Sequence, residues 1–86
     1  MPNRTRRKKK NRSRNDLIEQ MLIAALDGAS KTQIMYKAEL SFSQIDKEYL
    51  PLLLQNKLLE YDSKTKQYST TQRGASFLEK YKNLKL

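Results

Sequence analysis

A mainly α fold with a small β-hairpin, in the order helix, helix, helix, strand, strand, helix, is predicted by three observations on this chain of 86 residues. Three serines, each followed three positions later by an acid or an amide, stand just ahead of apolar patterns of helical period. The period then changes to alternation between Leu58 and Thr71, on both sides of a polar tetrapeptide. A last apolar stripe at helical spacing closes the chain.

The serine pairs are Ser13 with Asp16, Ser30 with Gln33, and Ser41 with Gln44. In such a capping box the hydroxyl accepts from the third helical N–H, and the longer side chain reaches back to the N–H of the serine. The first helix is predicted over about 14–27, burying Leu17, Ile18, Met21, Leu22, Ala25 and Leu26, with Gly28 as the left-handed residue that ends it. The second, over about 31–38, turns Ile34, Met35 and Ala38 inward. Only Glu39, Leu40 and Ser41 separate it from the third. There Leu40 and Ile45 occupy the positions of a hydrophobic staple, which fixes the angle at which the chain enters the helix. The third helix buries Ile45, Tyr49, Leu52 and Leu53 and leaves Ser43, Gln44, Lys47 and Glu48 outward.

Pro51 lies inside this third helix, where a missing N–H and a clash with the carbonyl of Lys47 cost ~3 kcal/mol in a regular interior. A kink is expected there, with Asn56 or Lys57 closing the helix. Leu59 and Tyr61 then alternate on one strand, and Tyr68 and Thr70 return on another. Between them Ser63-Lys64-Thr65-Lys66 forms the turn. Thr71 caps a final helix from Gln72 to about Leu84, with Phe77, Leu78, Tyr81 and Leu84 in one stripe. Gly74 weakens the first turn of that helix, and close approach of another backbone segment is the expected reason.

Two helices joined by a three-residue turn and followed by a hairpin make a winged helix-turn-helix. The stretch Lys31-Thr-Gln-Ile-Met-Tyr-Lys-Ala-Glu-Leu-Ser-Phe-Ser-Gln-Ile, then Tyr49-Leu50, Leu58-Leu59, Thr71-Gln-Arg-Gly74 and Phe77-Leu78, resembles the archaeal winged-helix family related to the ten-kilodalton chromatin-associated DNA-binding proteins. The resemblance covers about residues 13–82. It implies DNA binding or transcription regulation, and a homodimer formed through a long C-terminal helix. Here that helix ends by Leu86, about 20 Å at 1.5 Å per residue. Self-association then rests on the shorter stripe of Phe77, Leu78, Tyr81 and Leu84, or is lost. Pro51 is the second departure from the family pattern.

The formal charge is +9, and it is unevenly placed. Arg4, Arg6, Arg7, Lys8, Lys9, Lys10, Arg12 and Arg14 fall in the first fourteen residues with no acid among them, while the remaining ten basic residues stand against nine acids. Residues 1–13 are therefore read as a disordered basic arm and residues 14–86 as a nearly neutral domain. Histidine and cysteine are absent, which removes the usual general base, the usual nucleophile pair and the usual zinc ligands. Neither an enzyme nor a cofactor is expected. Asp16, Glu19 and Gln20 interrupt the apolar stretch after the arm, so it does not read as a secretion signal, and no apolar run approaches the ~20 residues of a membrane span. A cytoplasmic, nucleoid-associated protein is expected.

The expected partner is double-stranded DNA. The arm neutralises phosphates and releases counterions. Ser41, Ser43, Gln44 and Lys47 of the third helix meet base edges in the major groove. Lys64 and Lys66 of the hairpin tip, and Lys31 and Thr32 at the start of the second helix, meet the phosphate backbone. Tyr49, Tyr61 and Tyr68 fall at inward positions and are assigned to the core. The alternative reading is a protein-interaction module whose basic arm binds RNA or an acidic partner, because Asp46 and Glu48 flank Lys47 on the candidate reading helix.

Overall fold

A computed structural model describes residues 13–84 of the chain. Of the assigned residues, Arg4, Arg6, Arg7, Lys8, Lys9, Lys10 and Arg12 lie outside the described residues, as does the side chain of Leu84. All three serine boxes form. Ser13, Ser30 and Ser41 each accept from the third helical N–H, and Asp16, Gln33 and Gln44 each accept in return from the N–H of the serine, at 2.9–3.3 Å. Helix α1 runs Arg14–Ala24 and α2 runs Lys31–Ala38. Helix α3 occupies residues 42–55, as Phe42–Gln44, a π-helical turn Ile45–Tyr49, and Leu50–Gln55. Strands β1 (Leu59–Asp62) and β2 (Gln67–Thr70) pair antiparallel, Leu59 opposite Thr70 and Tyr61 opposite Tyr68, and α4 (Gln72–Leu84) comes last.

The first helix ends three residues earlier than its apolar pattern predicts, and Leu26 is half-exposed rather than buried. The hairpin takes the carbonyls that a longer helix would use. Thr70 donates its N–H to Ala25 O at 3.0 Å and its hydroxyl to Leu22 O at 2.6 Å. Gly28 then takes φ 92° and turns the chain toward β2. Ala29 exchanges two backbone hydrogen bonds with Tyr68, at 2.9 and 2.7 Å, which adds a one-residue third strand that periodicity does not reveal.

Pro51 acts one turn ahead of its own position. In the π turn the N–H of Leu50 reaches Ile45 O, five residues back, so the helix restarts with Pro51 in its first turn, where a missing N–H is tolerated. The inserted residue rotates the rest of the helix by about 100°. Leu50 therefore enters the core at 3% exposure, and Leu52, expected there, is only half-buried. Asn56 and Lys57 close the helix, with Lys57 in the left-handed region at φ 60° and the N–H of Leu58 bonded to Leu53 O.

The core lies among α1, α2, α3 and the start of β1, centred on Met21, Leu22, Ile34, Ile45 and Leu53, with Tyr49 and Leu59 enclosing it. Tyr61 departs from its assignment to the core and is 47% exposed. Only the foot of the hairpin is covered: Leu59 is the one buried residue of β1, and Tyr61 leans on the half-buried ring of Tyr68 at 4.7 Å. The stripe of α4 is partly used within the chain. Phe77 and Leu78 pack on the core, and the Tyr81 hydroxyl bonds Asp16 of α1.

The close approach expected at Gly74 is there. A Cβ on Gly74 would fall 2.4 Å from Leu58 O and 2.7 Å from the Thr70 methyl. Around it Thr71 donates its N–H to Leu58 O at 3.0 Å and its hydroxyl to Lys57 O at 2.6 Å, while that hydroxyl accepts from the N–H of Gly74 at 3.0 Å. One threonine thus ties the end of α3 to the start of α4.

Candidate nucleic-acid interface

The first residues of α1 and α2 are both basic, and both reach α3. Lys31 Nζ lies 2.6 Å from Asp46 Oδ1, and Arg14 Nη2 lies 2.9 Å from Glu48 Oε2. The two acids flanking Lys47 therefore each have a cationic partner, supplied from sequence positions 15 and 34 residues away. Pairs this exposed contribute only ~0–1 kcal/mol to folding. Their main consequence is electrostatic, because they cancel negative charge on the surface of α3 while Lys47 stays exposed.

The cations are also seated on rings. Lys31 Nζ sits 4.9 Å from the centre of the Phe42 ring and the Arg14 guanidinium 5.7 Å from that of Tyr49. The hydrogen bond to Asp46 raises the pKa of Lys31 above its ordinary value, so the ammonium is fully charged at neutral pH. Burial raises the Tyr68 phenol in turn.

Ser43, Lys47 and Thr32 are exposed, as assigned. Ser41 and Gln44 are exposed too, but their acceptor oxygens are engaged in the capping box, so toward a ligand they offer the serine O–H and the amide N–H₂ as donors. Lys64 and Lys66 stand exposed on the four-residue loop between the strands. The Lys64 N–H bonds the Asp62 carboxylate at 2.9 Å, and Lys66 takes φ 58°. Among the described residues no cluster of acids is placed to hold a metal ion, and no helix is long and apolar enough to cross a membrane.

Helix α3 following α2 through a short turn, with a two-stranded hairpin beyond it, is the geometry of a helix-turn-helix with a wing. Residues 11–86 match the family model described as winged helix-turn-helix. The chain belongs to the winged helix-turn-helix family. A comparison with curated proteins returns no match. In winged-helix terms α3 holds the position of the recognition helix and the loop of residues 63–66 that of the tip of the wing.

Two exposed aromatics of the winged helix escape a reading of its sequence. Tyr36 on α2 is 73% exposed, and Phe42 at the start of the recognition helix is 58% exposed. Spacing hides Phe42, because it falls three and seven residues before the buried Ile45 and Tyr49 and so mimics a core position. The first turn of the recognition helix carries no buried residue at all. The useful signal is its place right after a cap, at the end of a helix where a core stripe runs out.

Proposed function

We propose that this winged helix binds duplex DNA, with the recognition helix in the major groove, the wing lysines on phosphate, and the basic N-terminal residues supplying most of the affinity. It acts as a transcription regulator or a small chromatin protein on the nucleoid. The observation that carries the reading is the pairing of Asp46 and Glu48 with Lys31 and Arg14, which removes the main electrostatic objection to placing α3 against phosphate-lined walls. The resemblance of Ile34-Met35-Tyr36-Lys37-Ala38 to the archaeal chromatin-associated proteins supports the same role.

Titration of duplex DNA into labelled protein, followed by amide NMR shifts, is expected to move residues 41–47 and 63–66 together with the N-terminal residues. Shifts confined to the N-terminal residues would favour the protein-interaction reading instead. The pairing itself is testable. In Asp46→Asn one acid leaves the interface and Lys31 is released toward phosphate. Affinity at low salt should rise several-fold, and the slope of log K against log salt should steepen by about 0.9, one further phosphate contact. An unchanged slope would take Lys31 out of the phosphate-contacting set.

A further inference from the structure

We infer that Phe42 reads the C5-methyl group of thymine, which makes it the first specificity-determining residue of this interface. The inference rests on the DNA-binding reading above. Phe42 belongs neither to the core nor to the half-buried residues packed on it, and more than half of its surface faces solvent. The ring is held in place nonetheless. Lys31 lies over one face at 4.9 Å, and Lys31 is itself anchored to Asp46 on the next turn of α3 at 2.6 Å. What stays open is an apolar ring surface next to an ammonium paired with Asp46.

The chemistry of the major groove limits what such a surface can meet. Each base edge there presents a hydrogen-bond donor, an acceptor or both, and the one methyl group is that of thymine. An exposed phenyl ring pressed into the groove against any other edge would desolvate polar atoms without pairing them. Against thymine it buries a methyl group, while Lys31 beside it stays paired with Asp46. The hydrogen-bonding side chains of the same turn, Ser43 and Gln44, then fix which step along the duplex the ring addresses.

The test uses two short duplexes, one of alternating A·T pairs and one in which every thymidine is replaced by deoxyuridine, so that only methyl groups differ. Binding of the full chain is measured at raised salt to suppress the phosphate contribution. The wild type is expected to bind the thymine duplex about three- to fivefold more tightly, the effect of one buried methyl group. Phe42→Ala, and Phe42→Gln as a polar side chain nearer in bulk, should bind the two duplexes equally with the salt slope unchanged. Equal binding of both duplexes by the wild type overturns the inference and leaves DNA binding standing, as does a preference that survives in both variants. Failure of the wild type to bind either duplex even at low salt, where the phosphate contacts are at full strength, overturns the DNA-binding reading itself.

Discussion

Replacing Gly74 with alanine is expected to destabilise the domain by about 3 kcal/mol, at the upper end of overpacking substitutions. The expectation runs against helix propensity, which favours alanine over glycine by ~1 kcal/mol inside a helix. The added methyl group meets a backbone carbonyl, Leu58 O, at 2.4 Å, and the Thr70 methyl at 2.7 Å. Neither can yield cheaply. Leu58 O accepts from the N–H of Thr71, and Thr70 is bonded through both its N–H and its hydroxyl to the end of α1. Moving α4 outward instead breaks the Thr71 bonds to Lys57 and Leu58 that join it to α3. For a domain of this size each kcal/mol is worth roughly 4–8 °C, so the midpoint of thermal unfolding followed by circular dichroism should fall by roughly 12–24 °C. A variant as stable as the parent, or more stable, would mean that α4 does not lie this close to the foot of the wing.

The second large effect concerns affinity. Residues 1–12 carry seven basic residues and no acid, whereas the rest of the chain is nearly neutral. If roughly six of those charges meet phosphates, log K falls with log salt at a slope near −5, about a thousandfold between 50 and 200 mM salt. A chain lacking residues 1–12 should keep its fold and its Arg14–Glu48 pair, lose at least about a hundredfold in affinity at low salt, and show a slope near −2. Fluorescence anisotropy across a salt series measures both quantities. A truncated chain with the affinity and slope of the full one would refute the division of labour between basic segment and winged helix.

The features legible in the sequence are those that a few neighbouring residues determine. The Ser13, Ser30 and Ser41 boxes, the turn of residues 63–66 and the hairpin that carries Leu59 and Tyr61 out and Tyr68 and Thr70 back need only local backbone geometry and a matching period, and each forms as expected. Gly74 is readable for a related reason, because a glycine that weakens a helix needs something outside the helix to account for it. The features that escape depend on partners distant along the chain. The end of α1 is set by Thr70, some 48 residues beyond Leu22, and no pattern within 14–27 encodes it. A π turn ahead of Pro51 shifts the apolar register by one residue, which exchanges Leu52 for Leu50 in the core. Tyr61 alternates correctly yet is exposed, because alternation predicts which face a residue takes and is silent on how far the covering helices extend. At the interface, the acids of α3 look unfavourable in one dimension; their cations come from the first turns of two other helices.

The hydrogen bonds of Ala29 and Thr70 divide the wing into two mechanical parts. Its foot is fastened to the scaffold by backbone bonds between Ala29 and Tyr68 and from Thr70 to Ala25, so that end is expected to open at a higher free energy than the tip. Residues 63–66 make no part of that attachment and are exposed throughout. Length and charge at the tip can therefore be altered without disturbing the scaffold, since exposed loop tips usually tolerate insertions. The tip is the part of this protein open to grafting: residues added there would extend or redirect its reach along a duplex while the recognition helix keeps its place.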